Sequence, residues 1–182
     1  GPTGGVTTTG YDADGRTAQV TDADGNVTGY AYDNLGRQTV TTRADGTTLV
    51  NAYDAAGQLT SYTDGAGDVT GYGYDGAGRL AARTDPDHRT TTFGYDASGN
   101  STAVTDAAGR GTTQTYDAGG RLVGVSYSDG VTANVAYAYD AAGRRISMSD
   151  GTGTTTYGYD GFGRPASVTN GAGQVVGYGY NS

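Results

Sequence analysis

Asp12-Ala13-Asp14-Gly15 and Asp22-Ala23-Asp24-Gly25 each place two carboxylates two residues apart beside a glycine, a spacing that opens many calcium loops. A loop of that kind needs further oxygen ligands and closes on a bidentate Glu. All 19 acids of this chain are Asp, so the closing ligand is missing. The Gly-rich nonapeptide of calcium-binding β-helices is absent as well. The single imidazole, His88, lies in the stretch Asp85-Pro86-Asp87-His88, so a Ser-His-Asp triad or a His-metal site would have to be built around a turn residue. Carboxylate pairs of the glycosidase type are no better supported, because every recurring Asp falls at a turn signal. The residues therefore name no catalytic group, no cofactor site and no metal site, and a non-enzymatic chain is expected.

The elements that hold these carboxylates follow from a repeat. Tyr-Asp recurs with Tyr at positions 11, 32, 53, 74, 95, 116, 139 and 159, and an altered copy stands at Tyr180-Asn181. The interval is 21 residues five times, then 23, 20 and 21. A fixed period of this size marks one supersecondary unit used many times. Each Tyr-Asp opens an Asp-x-x-Gly phrase: Tyr11, Asp12 and Gly15; Tyr32, Asp33 and Gly36; Tyr53, Asp54 and Gly57; Tyr74, Asp75 and Gly78; Tyr95, Asp96 and Gly99; Tyr116, Asp117 and Gly120; Tyr139, Asp140 and Gly143; Tyr159, Asp160 and Gly163. These are the expected structural residues of the repeat. About ten residues later a second series appears at Asp22-Gly25, Asp64-Gly67, Asp106-Gly109 and Asp150-Gly153, with variants starting at Arg43, Asp85, Tyr127 and Asn170. Asp at the first position of a type I turn accepts the turn's own N–H groups, and Gly at the fourth takes the positive φ of a G1-bulge hairpin.

Two reversals per 21 residues predict two antiparallel strands of about six or seven residues each. The fold class expected is all-β, an antiparallel meander of tandem hairpin repeats that curls, since some sixteen strands exceed what an open twisted sheet usually carries flat. Residues 1–2 read as the remnant of a cleaved tag, 3–10 as a partial repeat, and 11–182 as eight repeats plus the start of a ninth. Tyr30 and Tyr32, Tyr72 and Tyr74, Phe93 and Tyr95, Tyr137 and Tyr139, and Tyr178 and Tyr180 are two apart and share a face, with Gly or Ala between them. Arg16, Arg37, Arg79, Arg121, Arg144 and Arg164 follow turn glycines and are expected to pair with nearby Asp.

Composition agrees. The chain has 34 Gly, 30 Thr and 16 Tyr but no Lys and no Glu, which removes strong helix formers and leaves residues that suit strands. A net charge of −8 without a basic cluster argues against nucleic acid, and no apolar run long enough to insert in a membrane occurs. The absence of Cys excludes disulfide staples.

Tyr74-Asp75-Gly76-Ala77-Gly78-Arg79-Leu80 and Tyr116-Asp117-Ala118-Gly119-Gly120-Arg121-Leu122, followed by Thr-Asp-x-x-Gly phrases, resemble the YD repeat of the RHS family, found in bacterial Rhs proteins, wall-associated proteins, shell subunits of toxin complexes and teneurins. The resemblance covers residues 4–182. It implies a β-strip that spirals into a hollow shell, enclosing a toxin domain that belongs to the same longer polypeptide. It also implies secretion or cell-surface display, with the signal outside this stretch. The family's Asp-Pro-x-Gly cleavage boundary has no counterpart, since Asp85-Pro86-Asp87-His88 lacks the Gly. Two other uses stay open: an adhesive array that stacks glycans on its tyrosines, and self-association through unpaired edge strands into filaments.

Overall fold

The computed structural model describes residues 5–181, so the expected tag remnant at 1–2 lies outside the described residues. These contain seventeen β-strands and no helix. They fall into two compact units that meet between Thr90 and Thr91. The first unit carries β1 (Thr8–Tyr11), β2 (Thr17–Thr21), β3 (Val27–Tyr32), β4 (Gln38–Thr42), β5 (Thr48–Tyr53), β6 (Leu59–Thr63), β7 (Val69–Tyr74) and β8 (Leu80–Thr84). The second carries β9 (Thr90–Tyr95, save its first residue), β10 (Ser101–Thr105), β11 (Gly111–Tyr116), β12 (Leu122–Tyr127), β13 (Val135–Tyr139), β14 (Arg145–Asp150), β15 (Gly153–Tyr159), β16 (Pro165–Thr169) and β17 (Val175–Gly177). Within each unit every strand pairs antiparallel with the next in the chain, the meander that the alternating turns predict.

One turn shows why the sequence folds this way. Asp33 N–H donates to the Arg37 carbonyl and Gly36 N–H to the Asp33 carbonyl, both at 2.9 Å. Gly36 has φ 78°, which an L side chain adopts only with strain. The ladder slips by one residue beside the turn, with Ala31 opposite Val40 but Tyr32 opposite Gln38. That slip is the bulge that the Asp-x-x-Gly phrase calls for.

Two turns depart from the expected form. Unit seven is one residue short, so β14 and β15 run on until Asp150 pairs directly with Gly153, and the reversal is made by Gly151 and Thr152 alone. The phrase starting at Tyr127 becomes a longer loop, because two extra residues must be taken up. There Asp129 Oδ1 accepts the N–H groups of Val131 and Thr132, and Asn134 Oδ1 accepts that of Tyr127. His88, by contrast, keeps the standard turn. Its N–H donates to the Asp85 carbonyl at 2.9 Å with φ 61°, the one non-Gly residue in that region among the described residues.

Residues opposite one another in a ladder share a face. Following Tyr30 to Thr41 to Leu49, then Asn51 to Tyr62 to Thr70, and Tyr72 to Arg83, traces an aromatic face in the first unit. Ala31, Val40, Val50 and Thr63, and then Ala52, Ser61, Gly71 and Thr84, trace the reverse face, made of small and β-branched residues. The second unit repeats the division, with Tyr137, Met148 and Thr155 against Ala138, Ser147, Thr156 and Thr169. No apolar residue is fully buried among the described residues, and Thr70, at 9% exposure, is the most covered. Each unit is therefore a sheet one layer thick, held by cross-strand pairs rather than by a core.

Candidate functional site

The Tyr-Asp edge is where the repeats are joined. In the turn after Tyr32, Asp33 Oδ1 accepts the N–H groups of Leu35 (2.9 Å) and Arg37 (3.0 Å), and Oδ2 accepts Arg37 Nε at 2.7 Å. The same arrangement holds Arg16 on Asp12, Arg79 on Asp75, Arg121 on Asp117, Arg144 on Asp140 and Arg164 on Asp160. The carboxylate thus caps its own turn with one oxygen and grips the arginine with the other. The N–H of Arg16 is the main reason the Asp12 carboxyl lies below the usual range, with the guanidinium adding to it against partial desolvation. Arg79 acts alike on Asp75, and Arg144 on Asp140.

Held in this way, the arginine reaches into the next repeat. The guanidinium carbon of Arg37 lies 4.9 Å from the centre of the Tyr53 ring, and its Nη1 donates to the Asp54 carbonyl at 2.9 Å. Arg16 stacks on Tyr32 (4.8 Å), Arg121 on Tyr139 (5.0 Å), Arg144 on Tyr159 (4.6 Å) and Arg164 on Tyr180 (4.2 Å). The stacked tyrosine then donates its hydroxyl back across the ladder: Tyr32 to the Thr17 carbonyl (2.8 Å), Tyr53 to Gln38 (3.1 Å), Tyr139 to Leu122 (2.9 Å) and Tyr180 to Pro165 (2.8 Å). Asp, Arg and Tyr form a stitch that runs from one turn to the next. Where the arginine is missing, Gln58 takes its place by donating to the Gly78 carbonyl at 2.8 Å, and Tyr74 still bonds the Leu59 carbonyl at 2.9 Å.

The sequence predicts the Asp–Arg pairs but not the stack on the following repeat. A signal for it exists, since Arg16, Arg37 and Arg164 each stand sixteen residues before the tyrosine they cover. The first tyrosine of each pair behaves differently. The hydroxyls of Tyr30, Tyr72, Tyr137, Tyr157 and Tyr178 have no hydrogen-bond partner among the described residues. Two ladders thus share one face, both half-buried along most of their length, an outer one bonded into the edge and an inner one whose hydroxyls are unbonded.

The calcium-like phrases are spent on turns. Asp22 Oδ1 accepts the N–H groups of Asp24 and Asn26 at 2.9 Å, and its Oδ2 accepts Asn26 Nδ2 at 2.9 Å. Arg16 bridges Asp12 and Asp14 at 2.7 Å each. No cluster of three His, Cys, Asp or Glu residues able to hold a metal occurs among the described residues. His88 sits exposed at its turn. No helix among the described residues is long and apolar enough to cross a membrane.

The profile of the RHS repeat matches residues 11–48, 53–90, 74–110, 95–132 and 139–175, most of the chain. The chain belongs to the RHS repeat family. The stitch is accordingly a feature of how these RHS repeats join, and the all-β hairpin meander is the fold that the resemblance implies. Among solved structures, these RHS repeats are similar to TcdB2–TccC3 without its hypervariable C-terminal region, at 19% identity and a TM-score of 0.68, over 97% of this chain and 11% of that one. They are similar also to a Photorhabdus luminescens Tc holotoxin pore, at 18% identity and a TM-score of 0.60, over 90% of this chain and 12% of that one. At that identity the likeness is one of fold, and the chain spans about a ninth of the length of these structures. The chain has no significant match among curated proteins.

Proposed function

We propose that these repeats are a length of wall in an RHS shell, that the parent polypeptide encloses a toxin domain in it, and that the protein is secreted or displayed at the cell surface. The observation that carries this reading is the fit of 97% of the chain, itself RHS repeats, onto TcdB2–TccC3, of which TccC3 is named also in a Tc holotoxin pore. The stitch supports it, because a wall one layer thick must be stiffened from repeat to repeat rather than by a core. Tyr-Asp and its glycine serve as structural residues at each of the eight turns. The wall itself is non-catalytic, since its recurring carboxylates hold turns and arginines.

The parent protein tests the reading. A segment following the repeats should resist protease while the shell is intact and become digestible once the shell is opened. Digestion of that segment at the same rate in both states would remove the encapsulation role. The inner tyrosines, whose hydroxyls are unbonded among the described residues, favour a second reading, an adhesive array that stacks glycans. Tyrosine resonances that stay fixed through titration with a panel of wall glycans would eliminate it for those ligands.

A further inference from the structure

Tyr137, Tyr157 and Tyr178 are three successive rungs of the inner ladder, whereas Asn51 and Gln114 interrupt it elsewhere. Neighbouring rungs lie two strands apart, about 10 Å by the usual interstrand spacing. That leaves room for one flat group with a ring on either side. The interval between Tyr137 and Tyr157, floored by Met148, is filled by the chain itself: the guanidinium carbon of Arg145 lies 4.5 Å from the Tyr157 ring centre and 5.9 Å from that of Tyr137. Arg145 has no carboxylate partner among the described residues, so the rings are what hold it.

The next interval has tyrosine walls again, Tyr157 and Tyr178, and is floored by Val168 opposite Tyr157, but it lacks the arginine. Tyr139 stands opposite Arg145 in the ladder, and Tyr159 stands opposite Pro165. Pro165 therefore occupies the place of Arg145, and its short ring does not reach between the rungs. What remains is an open trough of about 340 Å³ lined by Tyr157, Tyr159, Pro165, Val168, Tyr178 and Tyr180.

We propose that this trough binds an arginine side chain presented by another polypeptide segment, its guanidinium lying between Tyr157 and Tyr178 as Arg145 lies between Tyr137 and Tyr157. The chemistry is complementary. Tyrosine faces are electron-rich and attract a cation within about 6 Å of the ring centre. The chain carries a net charge of −8. Arg164, the cation beside Tyr180, is already paired with Asp160 at 2.8 Å. A flat guanidinium fits between rings better than a compact ammonium. The site does not depend on the shell reading.

The test is a titration of the 182-residue chain with a short Gly/Ser peptide carrying one arginine, beside its uncharged citrulline counterpart, followed by ring resonances assigned through Tyr157→Phe and Tyr178→Phe. Saturable shifts at both rings are expected, with the citrulline peptide binding about tenfold more weakly. Pro165→Arg, which supplies a guanidinium from the place of Arg145, should abolish binding, and Tyr178→Ala should do the same. Arg145→Ala should add a second set of shifts at Tyr137 by emptying the first interval. Equal affinity for the two peptides, binding that survives Pro165→Arg, or rings unmoved by the arginine peptide would each overturn the assignment.

Discussion

Tyr72 and Tyr74 stand two apart on β7 and share its aromatic face, yet removal of one oxygen from each should have different consequences. Tyr74 donates its hydroxyl to the Leu59 carbonyl at 2.9 Å, whereas the Tyr72 hydroxyl has no partner among the described residues. In either Phe variant the ring stays, so aromatic packing is unchanged and the hydrogen bond is isolated. A neutral hydrogen bond nets about 0.5–1.5 kcal/mol in a folded protein. The Leu59 carbonyl stands at the start of β6, where water can replace the lost donor, which favours the middle of that range over its top. Tyr74→Phe should then cost about 1 kcal/mol and Tyr72→Phe close to nothing, roughly a fivefold difference in the unfolding equilibrium constant. Position 74 suits the test because Gln58 rather than an arginine precedes it, so no guanidinium stack complicates the readout. Urea unfolding followed by far-UV dichroism, with hydrogen exchange on β6 and β7, measures both variants. A Tyr72→Phe loss equal to or larger than that of Tyr74→Phe would refute the division into a bonded outer ladder and an unbonded inner one.

His88→Gly should raise stability by about 0.5–1 kcal/mol in the same assay, because relief of left-handed strain at φ 61° exceeds the entropy that Gly adds to the unfolded chain. Gly57→His, the reverse exchange at φ 88°, should lower it by about 1–2 kcal/mol, and a loss at His88→Gly would mean the imidazole has a role beyond the turn. Gln114 keeps a buried Oε1 without a partner, so Gln114→Leu should be neutral or stabilising by about 1 kcal/mol, and a clear loss would show that the amide is satisfied in solution. The turn carboxyls of Asp12, Asp75 and Asp140 are lowered in the folded state, first by the N–H of the arginine four residues on. Their contribution is complete above the unfolded pKa near 4 and is lost as pH falls through the depressed folded values. Thermal midpoints should therefore stay level from pH 7 to about 5 and drop below about 4, and a midpoint that holds at pH 3 would contradict the caps.

The backbone of this chain was legible because its turns are written in residues with a local mechanism. Asp33 and Gly36 settle a reversal and a bulge within five residues, whatever the rest of the chain does. His88 shows how strongly: the turn forms even with the wrong residue at the left-handed position. What escaped were the side-chain contacts that cross from one repeat to the next. The pairing of Arg37 with Asp33 is local and was expected, but its stack on Tyr53 needs β4 and β5 to be side by side before the two residues meet. The bulge at each Tyr-Asp shifts the register against the following strand, whereas the carbonyl that the tyrosine reaches lies on the preceding one. Period-two reasoning puts Tyr72 and Tyr74 on one face, correctly, but it gives them the same environment. What separates them is the preceding strand, where Tyr74 bonds the Leu59 carbonyl at the start of β6 and Tyr72, nearer the middle of the ladder, bonds none among the described residues. Asp150 and Tyr127 make the same point from the other side. Their phrases look like the others, but a residue lost or gained between fixed strands must be absorbed, and the turn is where a meander can absorb it. In a sheet without a core, the edge is therefore both the least constrained part of the repeat and the part that binds one repeat to the next.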